Sequence, residues 1–224
     1  LVGLVERVQT DGTGPEALRR MHELLVRRVM ELPQLQGLFV YDEKGNWLVN
    51  ALPAMPPNVN NSDRDYFIYH STHADPKPYI GLPIRSRSTG AWIITVSRRI
   101  EHADGSFAGV ALATISMDYF NKFYKNFDIG QHGAIVLGLN NGIMLTRRPL
   151  LADTNGKNIA NIPLFRDNVA KKASGTIFIV SALDNVRRLN SFRHLEHYPL
   201  FVATALSEDE ILADWLTDTY LHST

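Results

Sequence analysis

The 224-residue chain carries 23 basic and 23 acidic side chains, so its formal net charge is zero and no general field draws it to nucleic acid or anionic lipid. It has no cysteine, which excludes a disulfide framework, a thiolate-held zinc site and a thiol nucleophile. The length allows one large domain or two small ones, and no apolar run reaches the roughly eighteen residues of a membrane span.

The N-terminus, LVGLVERVQ, acquires charges too early for a signal peptide and has no initiating Met. The chain therefore reads as a fragment of a longer protein. Residues 1–9 look like the end of a helix, which TDGTGP interrupts. Pro15 suits the first position of a second helix. Leu18, Met21, Leu25, Val29 and Leu32 then recur at helical spacing, widened by Ala17 and Leu24, until Pro33.

From Gly37 the period changes to two apolar runs around DEKGN, a hairpin. Residues 53–62, rich in Pro and Asn, predict a loop. Asp63 is placed to cap a short helix over Arg64 to His73. Tyr79–Arg85, Ala91–Ile100 and Phe107–Ser116 predict three strands with turns at 88–90 and 103–105. The segment from Met117 has helical periodicity and acts as a connector.

The same order then returns. A hairpin from Gly133 turns at Asn-Gly, a short helix covers Leu164–Lys171, and strands follow near Gly175–Ser181, Val186–Phe192 and Leu200–Ala205. Ser207, with Glu210, reads as the capping box of a last helix. Two halves with one order of elements suggest internal duplication.

No nucleophile elbow, phosphate loop, dinucleotide fingerprint or His-Glu-x-x-His is present. His70 and His73, three apart on the helix with Asp75 beyond, have metal-ligand spacing. They equally suit a helix end where one imidazole packs and the other is solvated. Arg64 and Tyr66 could stand at the mouth of a pocket over the sheet, the guanidinium offering a fork matched to a carboxylate. The alternative makes Asp63 a cap and pairs Arg64 with Asp63 or Asp65.

Between Pro76 and Ile100 no acidic residue occurs, while Lys77, Arg85, Arg87, Arg98 and Arg99 do. Alternation puts these arginines on both strand faces, so at most one or two can line a pocket.

The block NxSDRDYFxYH, then IGLPIRSRSTGAW, VSRRI and DGSFAGVALATI, resembles the double-Cache sensor domains of bacteria, in the spelling found ahead of diguanylate cyclase, phosphodiesterase or histidine kinase modules. The likeness is strong from Asn61 to Phe120 and continues into YPLFVATALSEDEIL. It implies an α/β (α+β) fold: a long N-terminal helix and two PAS-like modules, each a roughly five-stranded antiparallel sheet with flanking helices. The implied divisions are a helical stalk (1–35), a membrane-distal module with its linker helix (36–125), a membrane-proximal module (126–206) and a C-terminal helix leading to a membrane span (207–224).

The resemblance also implies a periplasmic setting on an inner-membrane receptor, flanking transmembrane helices, a homodimer, and control of a cytoplasmic output such as cyclic-di-GMP synthesis. It implies no cofactor, no metal and no catalysis in this part. Amino-acid-binding members carry Arg-x-aromatic-aromatic in the helix over the distal pocket, matched by Arg64, Tyr66 and Phe67, and a Tyr on the next strand, matched by Tyr79. His70, Ser97 and Arg98 complete the candidate site.

The two acidic positions that grip an amino group in those members fall here on Gly81 and Thr114. Ordinary α-amino acids are then expected to bind poorly, and a small carboxylate or other anion to fit better. A ligand-free dimerisation or interaction domain is the second expectation. A hydrolase using His70 and Asp65 is the third, with no nucleophile and base paired in a known context.

Overall fold

A computed structural model of the chain describes residues 1–54, 59–152 and 154–213. The chain divides into two compact units between Tyr119 and Phe120.

The first unit opens with helices α1 (Val2–Asp11) and α2 (Pro15–Glu31), separated where Gly12 takes φ 71° and Pro15 starts a new first turn. The hairpin follows as β1 (Leu35–Asp42) and β2 (Trp47–Asn50). Asp42 Oδ1 holds its turn by accepting the N–H groups of Lys44 and Asn46, at 2.9 and 2.8 Å. Then come α3 (Asp65–Thr72), β3 (Tyr79–Ile80), β4 (Ile84–Arg85), β5 (Trp92–Glu101) and β6 (Phe107–Ser116). The antiparallel sheet runs β2-β1-β6-β5-β3, with β4 also on β5.

Two local expectations change. Asp63 does not cap α3. Its carboxylate takes both Nη groups of Arg87, at 2.8 and 2.6 Å, and Arg64 occupies the cap position. A bidentate ion pair is stronger than a single bond to a backbone N–H. The strand expected at Tyr79–Arg85 is broken in two, because Pro83 has no N–H for the ladder and the Leu82 N–H goes to Asp65 Oδ2 at 3.4 Å.

Strand alternation gives this sheet two apolar faces. Leu38, Val40, Ile100, Ala111 and Ala113 pack against Leu4, Val8, Met21 and Leu25 of α1 and α2. Phe39, Tyr41, Val110 and Leu112 pack against Tyr66 and Phe67 of α3. Central strands covered on both sides leave Val40, Val110 and Ala111 with no exposed surface.

The linker helix α4 (Met117–Tyr124) leads to the second unit. There β7 (Ala134–Leu139), β8 (Met144–Arg148), α5 (Pro163–Asp167), β9 (Ser174–Val180), β10 (Arg187–His194) and β11 (Leu200–Ser207) follow in turn. Their sheet runs β8-β7-β11-β10-β9, the same order of hairpin and returning strands as in the first. The expected helix at Leu164–Lys171 divides at Asn168 into α5 and a single 3-10 turn, Val169–Lys171. Met144, Phe165, Val169, Phe192, Phe201 and Ala203 form its core.

Ser207 ends β11, and Glu210 turns its carboxylate onto the Gln131 and His132 N–H groups, at 2.8 and 3.2 Å, from a helical turn at 208–213. The expected lead into a second membrane span lies in 214–224, outside the described residues.

Candidate functional site

The cleft of the first unit lies between α3 and β3–β5. Alternation along β5 turns Ile93, Thr95, Ser97 and Arg99 toward α3, and Trp92, Ile94, Val96, Arg98 and Ile100 toward α1 and α2. Asp65, in the first turn of α3, lies over the same ground. A Cβ built on Gly81 would stand 2.3 Å from Thr95 Oγ1 and 3.1 Å from Asp65 Oδ2. The carboxylate and the hydroxyl thus occupy the space a side chain at 81 would fill.

Asp65 is loosely held. Its Oδ2 accepts from the Tyr79 hydroxyl and from Leu82 N–H, each at 3.4 Å. Its Oδ1 is buried and has no hydrogen-bond partner among the described residues. Thr95 Oγ1 and Trp47 Nε1 are in the same condition. Thr95 and Trp47 line a cavity completed by Arg64, Tyr66, Arg85 and Arg87. Buried polar groups are normally paired, so two such atoms on this cavity, with Asp65 Oδ1 on the Gly81 side of Thr95, mark a place built for a partner. The free space is about 20 Å³, the order one water requires.

The residues expected at the site separate into groups. Arg64 stands at the rim, where Nη2 donates to the Arg85 carbonyl at 3.2 Å, and it has no carboxylate partner among the described residues. Tyr66 lines the cavity, but its hydroxyl is engaged by Asn61 Nδ2 at 2.7 Å. Burial pushes that phenol up to about 12. Phe67 is core, edge-on to Phe107 at 5.4 Å. Tyr79 reaches Asp65 and stacks on Tyr69 with centroids 4.4 Å apart.

Arg98 does not join the cleft. It lies on the opposite strand face and donates to the Pro76 carbonyl at 2.8 Å. Missed in the sequence were Asp65, Thr95 and Trp47 as cleft groups. The available signal was Gly81, a residue without a side chain between β3 and β4.

His70 and Ser97 form a separate buried pair, 0% exposed each, with His70 Nε2 and Ser97 Oγ 3.0 Å apart. The hydroxyl donates to the Tyr79 carbonyl at 3.4 Å, which leaves it to accept from Nε2–H. His73 instead stacks on Tyr69 at 4.6 Å, and Asp75 accepts the Tyr69 hydroxyl at 3.0 Å. The two imidazoles and the carboxylate do not converge, and no cluster of metal-ligating side chains occurs among the described residues.

Burial, reinforced by Arg99, lowers His70 to about 4. The folded chain then binds this proton less tightly than the unfolded chain, whose imidazole titrates near 6.5. The stability this neutral imidazole contributes is complete above about pH 6.5 and is lost as pH falls toward 4. The expected loss is up to about 3 kcal/mol. Urea unfolding at pH 7 and pH 4 should show it, and His70→Gln should remove that part of the difference.

The dCache_1-like family, described as histidine kinase sensor domain, matches residues 117–205. An extracellular domain assigned to a histidine kinase, rpHK1S-Z16, is 35% identical with a TM-score of 0.84, over 95% of this chain and 86% of that one. The ligand-binding domain of the Pseudomonas aeruginosa PAO1 amino acid chemoreceptor PctB, in complex with L-Arg, is 16% identical with a TM-score of 0.69, over 93% and 85% of the two chains. That of the Pseudomonas fluorescens chemoreceptor CtaA, in complex with L-isoleucine, is 14% identical with a TM-score of 0.67, over 94% and 83%. No curated protein matches. Among the described residues no helix is long and apolar enough to cross a membrane.

Proposed function

The chain belongs to the double-Cache family of histidine kinase sensor domains, and from that premise we propose that its first module binds a small carboxylate that also carries an ammonium group. The observation that supports this reading is the unpartnered Asp65 Oδ1 close to the unpartnered Thr95 Oγ1, both at the gap that Gly81 leaves. Arg64, without a carboxylate of its own, takes the ligand carboxylate at the rim. Asp65, Thr95 and the Tyr79 hydroxyl take the ammonium end.

The expectation against α-amino acids rested on the missing carboxylates at 81 and 114. In this reading Asp65 supplies one from α3, into the space Gly81 leaves open. PctB and CtaA, which share the fold, have structures with L-Arg and L-isoleucine bound.

The module is the extracytoplasmic part of a membrane receptor, flanked by membrane helices and paired as a homodimer. Its output, by likeness to rpHK1S-Z16, is a histidine kinase rather than a cyclic-di-GMP enzyme. Because the free space is about 20 Å³, entry requires α3 to move off the sheet. β5 carries that movement, since it presents Thr95 to the cleft and Ile100 to α1 on its other face. A ligand drives the change only by binding the two states differently.

The test is a thermal-shift and calorimetric screen of amino acids, their N-acetyl derivatives and simple carboxylates. Free amino acids should bind and N-acetyl derivatives should not. Asp65→Asn should weaken binding by about 2–5 kcal/mol, as expected for truncating one partner of a buried charge pair. Tighter binding of the acetylated or purely anionic compounds, where Arg64→Ala abolishes that binding, overturns the ammonium assignment. No binding by any of them leaves the domain as a ligand-free dimerisation module.

A further inference from the structure

The second module contains two buried arginines that the sensing role assigned to the first does not use. Arg147, on β8, is 1% exposed, and Arg188, on β10, is 3% exposed. They share one carboxylate. Asp184 receives Arg147 Nη2 at 2.5 Å on Oδ2, and Arg188 Nη1 and Nη2 at 2.7 and 2.9 Å on Oδ1 and Oδ2. Their other bonds go to the carbonyls of Pro149 and His132. Half of the guanidinium N–H groups therefore make no hydrogen bond among the described residues. Two cations on one anion leave one positive charge uncompensated where charge is costly to bury.

Both arginines and Asn190 line a cavity with about 60 Å³ of free space. At 10–15 Å³ for each water, this is on the order of four to six waters. Ser181 also lines it, and the remaining walls are apolar, among them Val136, Met144, Ile159, Phe165, Leu183 and Ala203. A purely structural ion cluster needs no such space beside it.

We propose that the second module holds a site of its own for a short monocarboxylate, its carboxylate on Arg147 and Arg188 and its alkyl chain in the apolar cavity. The single uncompensated charge calls for a monoanion. The planar forks call for a carboxylate. A second charged end would be desolvated among the apolar walls with no opposite charge to meet it. The volume limits the chain to about three to six carbons. This site stands independently of the reading of the first module.

Isothermal titration of the 224-residue chain with butyrate and hexanoate tests it, with butyramide as the neutral isostere. Both acids should bind, and butyramide at least tenfold more weakly. Arg147→Gln should weaken butyrate at least tenfold. Should that variant fail to fold, Ala203→Met fills the cavity while keeping both arginines, and it should abolish binding. Absence of heat with both acids, equal affinity for butyramide, or undiminished binding in Arg147→Gln or Ala203→Met overturns the proposal.

Discussion

Asp184→Asn is expected to cost the second module about 3–5 kcal/mol, the loss that follows when one partner of a buried ion cluster is removed. Arg147 and Arg188 would then face each other with no anion between them. The carboxylate is held well below the usual range by its hydrogen bonds to Arg188 and Ser181 and by the charges of Arg188 and Arg147, against the opposing effect of its own burial. A depressed folded pKa means its contribution is complete above the unfolded carboxylate pKa and is lost progressively as pH falls from about 5 through the folded pKa. Comparing wild type with His70→Gln at each pH isolates the imidazole, since Asp184 is common to both proteins.

The check is equilibrium urea unfolding of the variant. Asp184→Asn combined with Arg147→Met returns the buried charge to one and should recover part of the loss. If the double variant is no more stable than the single one, shape rather than charge holds this cluster together.

Gly109→Ala should be about as damaging in the first module. Gly109 lies in β6, paired with Asp42 on β1 and Ile100 on β5, beside a bulge in the β5–β6 ladder. Its φ of 142° is one that residues with a side chain rarely adopt. An added Cβ would stand 2.0 Å from the Tyr41 carbonyl oxygen and 3.1 Å from its carbon. These are backbone atoms of the neighbouring strand, so no rotamer change relieves the contact. Strain and overpacking together predict a loss of about 3–4 kcal/mol, or roughly 10 °C in the melting midpoint. Gly105→Ala is the control, since φ is 82° there but the surrounding space is open. It should lose only about 1–2 kcal/mol. Equal melting points for the two variants would refute the clash.

The fold was largely legible in the sequence because its signals are local. The period-two runs of β1 and β6 mark strands, their near-continuous apolar character marks burial on both faces, and Pro15 and Pro33 punctuate α2. The repeated order of elements gave two modules, and both sheets share one strand order. Resemblance in the block from Asn61 to Phe120 pointed to the family to which the chain belongs.

The site was legible only in part. Arg64, Tyr66 and Tyr79 are found at or beside the cleft, but Phe67 is core, His70 Nε2 is bonded to Ser97 while its Nδ1 has no partner among the described residues, and Arg98 faces the other way. Period-two counting separates the faces of a strand but does not say which face a helix covers. Competition among long-range partners also cannot be read locally. Asp63 leaves α3 for Arg87, 24 residues away, and Glu210 leaves its own helix for the 131–132 loop.

By itself the sequence determined the absence of thiol chemistry through its composition, the two-module order through its periodicity, and the family through the resemblance of its 61–120 block. Only the tertiary structure decided where the charges act. Asp65 enters the space left by Gly81, and Arg147 of β8 meets Arg188 of β10 over Asp184, because the fold brings side chains distant in sequence onto common ground. The physical reason is burial: whether a charged side chain is solvated, paired or left seeking a partner depends on what the fold places around it.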